Sequence, residues 1–457
     1  MRGPGAPSSK PSLRKAARVF ENRNYRILWF SSAFSFTGMQ MQQVARALLA
    51  WELTGSFGAV GAVSLSFGLP MLMFSLVGGS LADRLEKRNL TLMTQAATGI
   101  LALITAVLIA SDAITIQLLF VIGLVQGVFF AFGMPARTPL MAEVVGPESV
   151  MSAIAMSNAA MNATRLFGPA VAGVLIGFWD IEAAYFVMSG LYVVSSALLL
   201  RVPTGLGRAN LPEGMRRRPQ GNMFVEIGRG LRYVATDPRL RLLFAMLFIV
   251  TFFAMPYVML LAGFNEEDLG KGNFEFGLLQ SFMGVGALVG SLGIATLTEY
   301  DRKPLVQWIA GLGGAAGLIL LAFGSEAFGW WGAAIAVVFI GLMFTAYQTL
   351  NNTMVMDEAD PQYYGRVMSI NMLTFSSMPL MAYPLGALAD VIGAPETFMA
   401  QGAIVLAFMA FVALVNSGYT FGRHESKSLR PPAAVPGASA GPAVPGLAGP
   451  GGGGGGS

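Results

Sequence analysis

Leu81-Ala82-Asp83-Arg84-Leu85-Glu86-Lys87-Arg88-Asn89-Leu90 is a short charged turn set between two long apolar runs, 58–81 and 90–110. Each run holds about 20 residues or more, the length a helix needs to cross a hydrocarbon core of roughly 30 Å. Backbone groups in lipid must satisfy one another within the segment, so such runs are helices. The turn between them is too short for a folded insert. Reading outward, the same unit recurs. Apolar spans are predicted at about 25–51, 58–81, 90–110, 115–136, 150–178 and 183–200, then at 240–262, 274–298, 304–323, 330–350, 365–390 and 395–418. The predicted fold is therefore an all-α membrane protein with twelve transmembrane helices. Composition agrees: 54% of the chain is hydrophobic and 12% charged, against about 25% charged in soluble domains.

Charge placement orients the spans. With a cytosolic N-terminus, the inside segments hold Arg84, Lys87, Arg88, Arg302, Lys303, Arg366 and the arginines of the middle loop, whereas Lys271 stands alone among acids outside. Lys and Arg near span ends set topology, so both termini are expected in the cytosol of a cell membrane, with a bacterial inner membrane as the expected location. The formal charge of +4 invites a nucleic-acid reading. No basic stripe interleaved with aromatics supports it, so no nucleic-acid partner is expected. Cysteine is absent, which removes disulfides and thiolate metal sites.

The two sets of six spans resemble each other. Asp83-Arg84 after the second span lies over Asp301-Arg302 after the eighth, and Gly146-Pro147 before the fifth lies over Asp360-Pro361 before the eleventh. Near-constant offsets favour a duplication, and two six-helix pseudo-symmetric bundles suit a rocking transporter. The expected organisation is a cytosolic tail (1–23), a six-helix bundle (24–201), a cytosolic basic linker (202–238), a second bundle (239–420) and a Pro/Ala/Gly-rich tail (421–457) without a core. Gly286 and Gly290 form a GxxxG pair. Packing within the chain is the expected use, leaving a monomer.

Gly78-Gly-Ser-Leu-Ala-Asp83-Arg84-Leu-Glu-Lys87-Arg88 resembles the signature between the second and third helices of the major facilitator superfamily, without the usual Gly after the Asp-Arg pair. Gly168, Pro169 and Gly173 in the fifth span are similar to the antiporter motif of drug exporters, although its earlier glycines are missing. Glu52-Leu-Thr-Gly-Ser56 and the stretch from Pro135-Ala-Arg137 to Gly146-Pro-Glu look like the enterobactin-exporter-like (transmembrane secretion effector) branch. The resemblance implies a major facilitator fold and a secondary transporter working by alternating access.

On that reading, Asp83, Arg84 and Arg88 belong to a cytosolic latch, with Arg137 and Arg366 as partners for Asp83. An acid adds nothing to orientation, whereas Lys87 and Arg88 also suit plain membrane anchoring. Arg46 and Arg165 fall within spans, where a charge costs about 2.5 kcal/mol or more and usually faces water or a partner. Arg46 shares a helix face with Gln42 and Gln43, and Arg165 shares one with Asn158 and Asn162. These residues and Gln126 are the expected substrate cavity, and the two arginines favour an anionic solute. Two other readings stay open: Arg46 snorkelling to headgroups, and Arg165 tied to carbonyls at the Gly168-Pro169 break.

No Asp or Glu stands at mid-membrane, and the one histidine, His424, lies in the tail. Proton antiport therefore lacks an evident carrier, and another coupling ion or none stays open. No metal, cofactor or enzymatic motif is present, and no P-loop supports ATP-driven transport. The expected function is export of a small organic molecule such as a drug-like compound, siderophore or other metabolite. Uptake or facilitated passage of an anionic metabolite, and a non-transporting membrane receptor or scaffold, are the alternatives.

Overall fold

The computed structural model describes residues 18–206, 223–296, 302–360 and 363–416; for 75–77, 79–84, 147, 223–227, 295, 296 and 365 it describes the backbone alone. The expected 421–457 tail and the middle of the expected 202–238 linker lie outside these residues. Among the described residues every regular element is helical. The first bundle comprises α1 (Arg23–Thr54), α2 (Phe57–Arg84), α3 (Lys87–Ala110), α4 (Ile116–Val145), α5 (Val150–Phe178) and α6 (Ile181–Leu200). The second comprises α7 (Pro238–Asp268), α8 (Asn273–Thr296), α9 and α10, α11 (Tyr364–Ser376 and Met378–Ile392) and α12 (Ala394–Val415). Helices α9 and α10 run as one segment, Lys303–Glu358, that breaks at Gly329 with φ 58 and ψ −142. Ten segments are long and apolar enough to cross a membrane by length and composition. That segment supplies two crossings, and α1, 32 residues long, supplies another. Helix α1 falls short on hydropathy because Ser31, Ser32, Ser35, Gln40, Gln42, Gln43 and Arg46 interrupt its apolar residues. The twelve expected crossings are present.

Two helices outrun their apolar spans. Helix α4 continues to Val145 through Pro135 and Pro139, and α10 continues to Glu358. Hydropathy marks where lipid lies, whereas helix continues as long as neighbours satisfy its polar groups. At the end of α4, Glu143 pairs with Lys87 at 2.8 Å. At the end of α10, Lys303 pairs with Asp357 at 2.9 Å. Part of the expected linker is also ordered as a helix, Met223–Thr236. Its Tyr233 ring stacks on Tyr363, with centroids 4.1 Å apart, and its hydroxyl donates to Asp360 at 2.9 Å.

Small residues set the close contacts. Lipid is as apolar as a leucine side chain, so backbone approach replaces hydrophobic burial as the source of packing energy. A Cβ on Gly286 or Gly290 would run into the carbonyls of Val338 or Leu342 on α10, and one on Gly341 would meet Met283 on α8. The GxxxG pair is thus spent inside the chain. The bundles meet through α2 against α11 and α5 against α8. There Gly61 faces Ala382, Gly68 faces Pro379, and the Cα of Gly277 lies 2.7 Å from where a Gly173 Cβ would be.

Asn22 caps α1, its Oδ1 accepting from Asn24 N at 2.9 Å and Tyr25 N at 3.2 Å. Its Nδ2 donates to Val144 O at 3.1 Å, tying the start of α1 to the end of α4. Asn22→Ala is expected to cost about 1–2 kcal/mol, read as a lowered melting temperature in detergent with transport retained.

Candidate functional site

A polar cavity lies inside the first bundle, between α1, α3, α4 and α6. Gln42, Arg46, Gln95, Gln126, Arg137 and Tyr192 supply its polar groups. Its volume is ≈ 70 Å³, well below the roughly 300 Å³ at which drug-sized sites begin. It can take one functional group of a larger molecule.

Helical spacing builds the wall. Gln42 and Arg46 stand one turn apart on α1 and so share a face. Gln126 Nε2 donates to Gln42 Oε1, and Arg46 Nη1 reaches Gln126 Oε1 at 3.4 Å. The Arg46 guanidinium lies 4.6 Å from the Phe67 ring centroid. Arg46 is 9% exposed, Gln126 4% and Gln95 3%; these groups are buried among protein, which argues against Arg46 snorkelling to headgroups. Gln43 also lines the cavity and is exposed.

The structure thus brings together Gln42, Gln43, Arg46 and Gln126. Arg137, expected at a latch, lines the same cavity. Its Nη2 donates to Ser35 Oγ at 2.7 Å, and its guanidinium lies 4.7 Å from the Phe36 ring. Asn158, Asn162 and Arg165 do not line this cavity. They form a separate stripe on α5, with Asn158 and Arg165 exposed and Asn162 half-buried. Gly168 and Pro169 are buried on the same helix. A Cβ on Gly168 would lie 2.6 Å from Gln40 Cβ. The α5 motif therefore serves close packing, Gly168 against α1 and Gly173 against α8.

Of the other latch residues, Arg88 donates to the last carbonyls of α6, Leu199 O at 3.3 Å and Leu200 O at 2.8 Å. A cation there complements the helix's negative end. Arg366 lies 5.1 Å from the Tyr363 ring at the start of α11. Asp83 and Arg84 end α2, and their side chains lie outside the described residues.

One acid near a span end has a specific partner in the other bundle. Asp390, near the end of α11, accepts from the first groups of α2: Phe57 N at 2.6 Å, Gly58 N at 2.9 Å and Ser56 Oγ at 2.8 Å. The carboxylate of one bundle caps a helix of the other, where orphan N–H groups and the dipole favour an anion. A Cβ on Gly58 would come 2.8 Å from Asp390 Oδ2, so only glycine leaves room. Nearby, Asn273 donates to Glu52 at 2.9 Å, and Gly263 of α7 lies against the Trp51 ring. A sequence signal existed: an acid at its own helix's C-terminus is disfavoured and calls for a compensating partner.

Residues 28–383 match the Major Facilitator Superfamily. The chain is 22% identical over 393 residues to the Staphyloferrin A transporter of Staphylococcus aureus, covering 85% of this chain and 95% of that protein. It is 24% identical over 390 residues to the Multidrug efflux pump Tap of Mycolicibacterium fortuitum, covering 82% and 91%. The nucleoside transporter NupG shares the fold at TM-score 0.67 and 12% identity, over 86% of this chain and 99% of that one. Twelve crossings in two bundles, a polar cavity among them and a match over most of the chain lead to one conclusion: this protein is a transporter belonging to the Major Facilitator Superfamily.

Proposed function

We propose that this transporter exports small organic molecules by alternating access, with both termini cytosolic and α2 beginning at the outer face. The observation that carries the reading is Asp390 on the N-terminus of α2. Hydrogen bonds between two bundles can part without unfolding either, which is what a reversible closure needs. Glu52 with Asn273 and Trp51 with Gly263 close the same end. Export is favoured by the relative named as a multidrug efflux pump. The concentration of Lys and Arg at the opposite end favours the orientation. Internal use of the GxxxG pair favours a monomer.

Proton antiport is the second reading, favoured by the likeness of Gly168, Pro169 and Gly173 to the antiporter motif. Against it, Glu143 is paired with Lys87 and Asp390 is committed to α2, and both stand near span ends.

Inside-out vesicles holding the chain, given a pH gradient and a mixed pool of metabolites and drugs, test both. ATP-independent accumulation of at least one compound is expected. Loss of that accumulation with a protonophore identifies antiport, and equilibration without a gradient identifies a facilitator. Accumulation confined to right-side-out vesicles overturns export.

A further inference from the structure

Among the described residues, no carboxylate pairs with either arginine of the cavity. Arg46 and Arg137 line one small space whose other polar contributors are amides, hydroxyls and Tyr192, with no acid among the lining residues. Their recorded partners are neutral: Gln126 and the Phe67 ring for Arg46, Ser35 and the Phe36 ring for Arg137. Arg137 Nη1 is buried with no hydrogen-bond partner. A guanidinium carries five donors and does not lose its charge in proteins. Its unfilled donor therefore cannot be relieved by deprotonation, as a buried lysine's could be. Among the described residues no acceptor reaches that donor, and an oxyanion entering the cavity would complete it.

The geometry also gives the site a length. Arg46 meets Gln126, and Arg137 meets Ser35. The residue numbers in each pair add to the same total, which is the register of two antiparallel helices, α1 and α4. The pairs stand eleven positions apart on each helix, or about 16 Å along the axis at 1.5 Å per residue. The cavity wall thus carries one cation at each of these two levels, together with the amides of Gln42, Gln95 and Gln126. Its ≈ 70 Å³ suits an oxyanion group and excludes the body of the molecule that carries it.

We propose that the slot between α1 and α4 binds the oxyanion group, carboxylate or phosphate ester, of an organic anion through Arg137 Nη1, with Arg46 as the second cation. This rests on the transporter reading and narrows its substrate. It moves the anion site from the expected Arg46–Arg165 set to Arg46 and Arg137. Arg165, on another helix face, is not required.

Calorimetric titration of the full chain in lipid nanodiscs tests it with citrate, glycerol 3-phosphate, triethyl citrate as uncharged control, and chloride at matched ionic strength. Saturable binding of citrate or glycerol 3-phosphate is expected, and which of the two binds separates the carboxylate from the phosphate source. Arg137→Gln and Arg46→Gln should each weaken that binding at least tenfold, and Arg165→Gln less than threefold. A second readout uses the unaltered chain: phenylglyoxal labelling of Arg137, followed by peptide mass spectrometry, should slow at least fivefold in the bound anion. The proposal is overturned if neither anion binds more tightly than triethyl citrate or chloride, or if binding survives Arg137→Gln. Failure here with normal export in the vesicles removes the anion site alone. Binding here without any vesicle transport removes the export reading and leaves the site.

Discussion

Asp390→Ala is expected to lower transport at least tenfold and to loosen the bundle end at which α2 begins. The substitution removes the acceptor for Phe57 N, Gly58 N and Ser56 Oγ, held at 2.6, 2.9 and 2.8 Å. Bonds to a charged group are individually stronger than neutral ones, but this site is exposed. A combined loss of about 2 kcal/mol is reasonable. At 1.4 kcal/mol per factor of ten, that shifts the closed-to-open ratio about 30-fold. The chain has no cysteine, so Ala382→Cys adds a unique probe where α11 packs on Gly61 of α2. Ala382 is 1% exposed, and the probe should resist a membrane-impermeant maleimide. Adding Asp390→Ala should make it reactive, while Asp390→Glu should restore part of the protection. Equal labelling with and without the carboxylate would remove Asp390 from the closure.

Gly286→Leu is expected to prevent assembly of the second bundle, whereas Gly293→Leu on the same helix should be tolerated. A side chain at Gly286 meets the backbone of α10 at Val338, while one at Gly293 meets no atom of the described residues within 4 Å. Backbone carbonyls cannot move aside as a flexible side chain can, so the helices must separate. Overpacking of this kind costs about 3 kcal/mol or more, a large share of a typical stability of roughly 5–15 kcal/mol. In fluorescence-detected size-exclusion, Gly286→Leu should aggregate and Gly293→Leu should elute as the unaltered chain does. Similar profiles for the two would mean that α8 and α10 do not depend on that contact.

The architecture was largely legible because a bilayer leaves few solutions. Apolar runs of about 20 residues marked the crossings, and the charged turn at Asp83–Arg88 marked where one ended and the next began. Ends were misjudged where protein replaces lipid as the environment, as at Glu143 with Lys87 beyond the apolar part of α4. Gly329 bends one continuous helix into two crossings, a continuity that apolar runs ending near 323 and resuming near 330 do not reveal. The candidate site was legible in part. Gln42 and Arg46 on one face followed from helical periodicity, and a buried arginine stood out by its cost. That Arg137 would join them did not follow, because it depends on the register of α4 against α1.

Span number and length were thus determined by the sequence itself, because transfer into lipid acts on each segment locally. The small-residue faces that let helices touch were written there for the same reason. Tertiary structure alone decided the pairings: Asp390 with a helix start some 330 positions away, and Arg46 with Arg137 around one slot. Both rest on where two separate helices come to lie against each other. That position is set by the packing of whole bundles, to which no single stretch of sequence is sensitive.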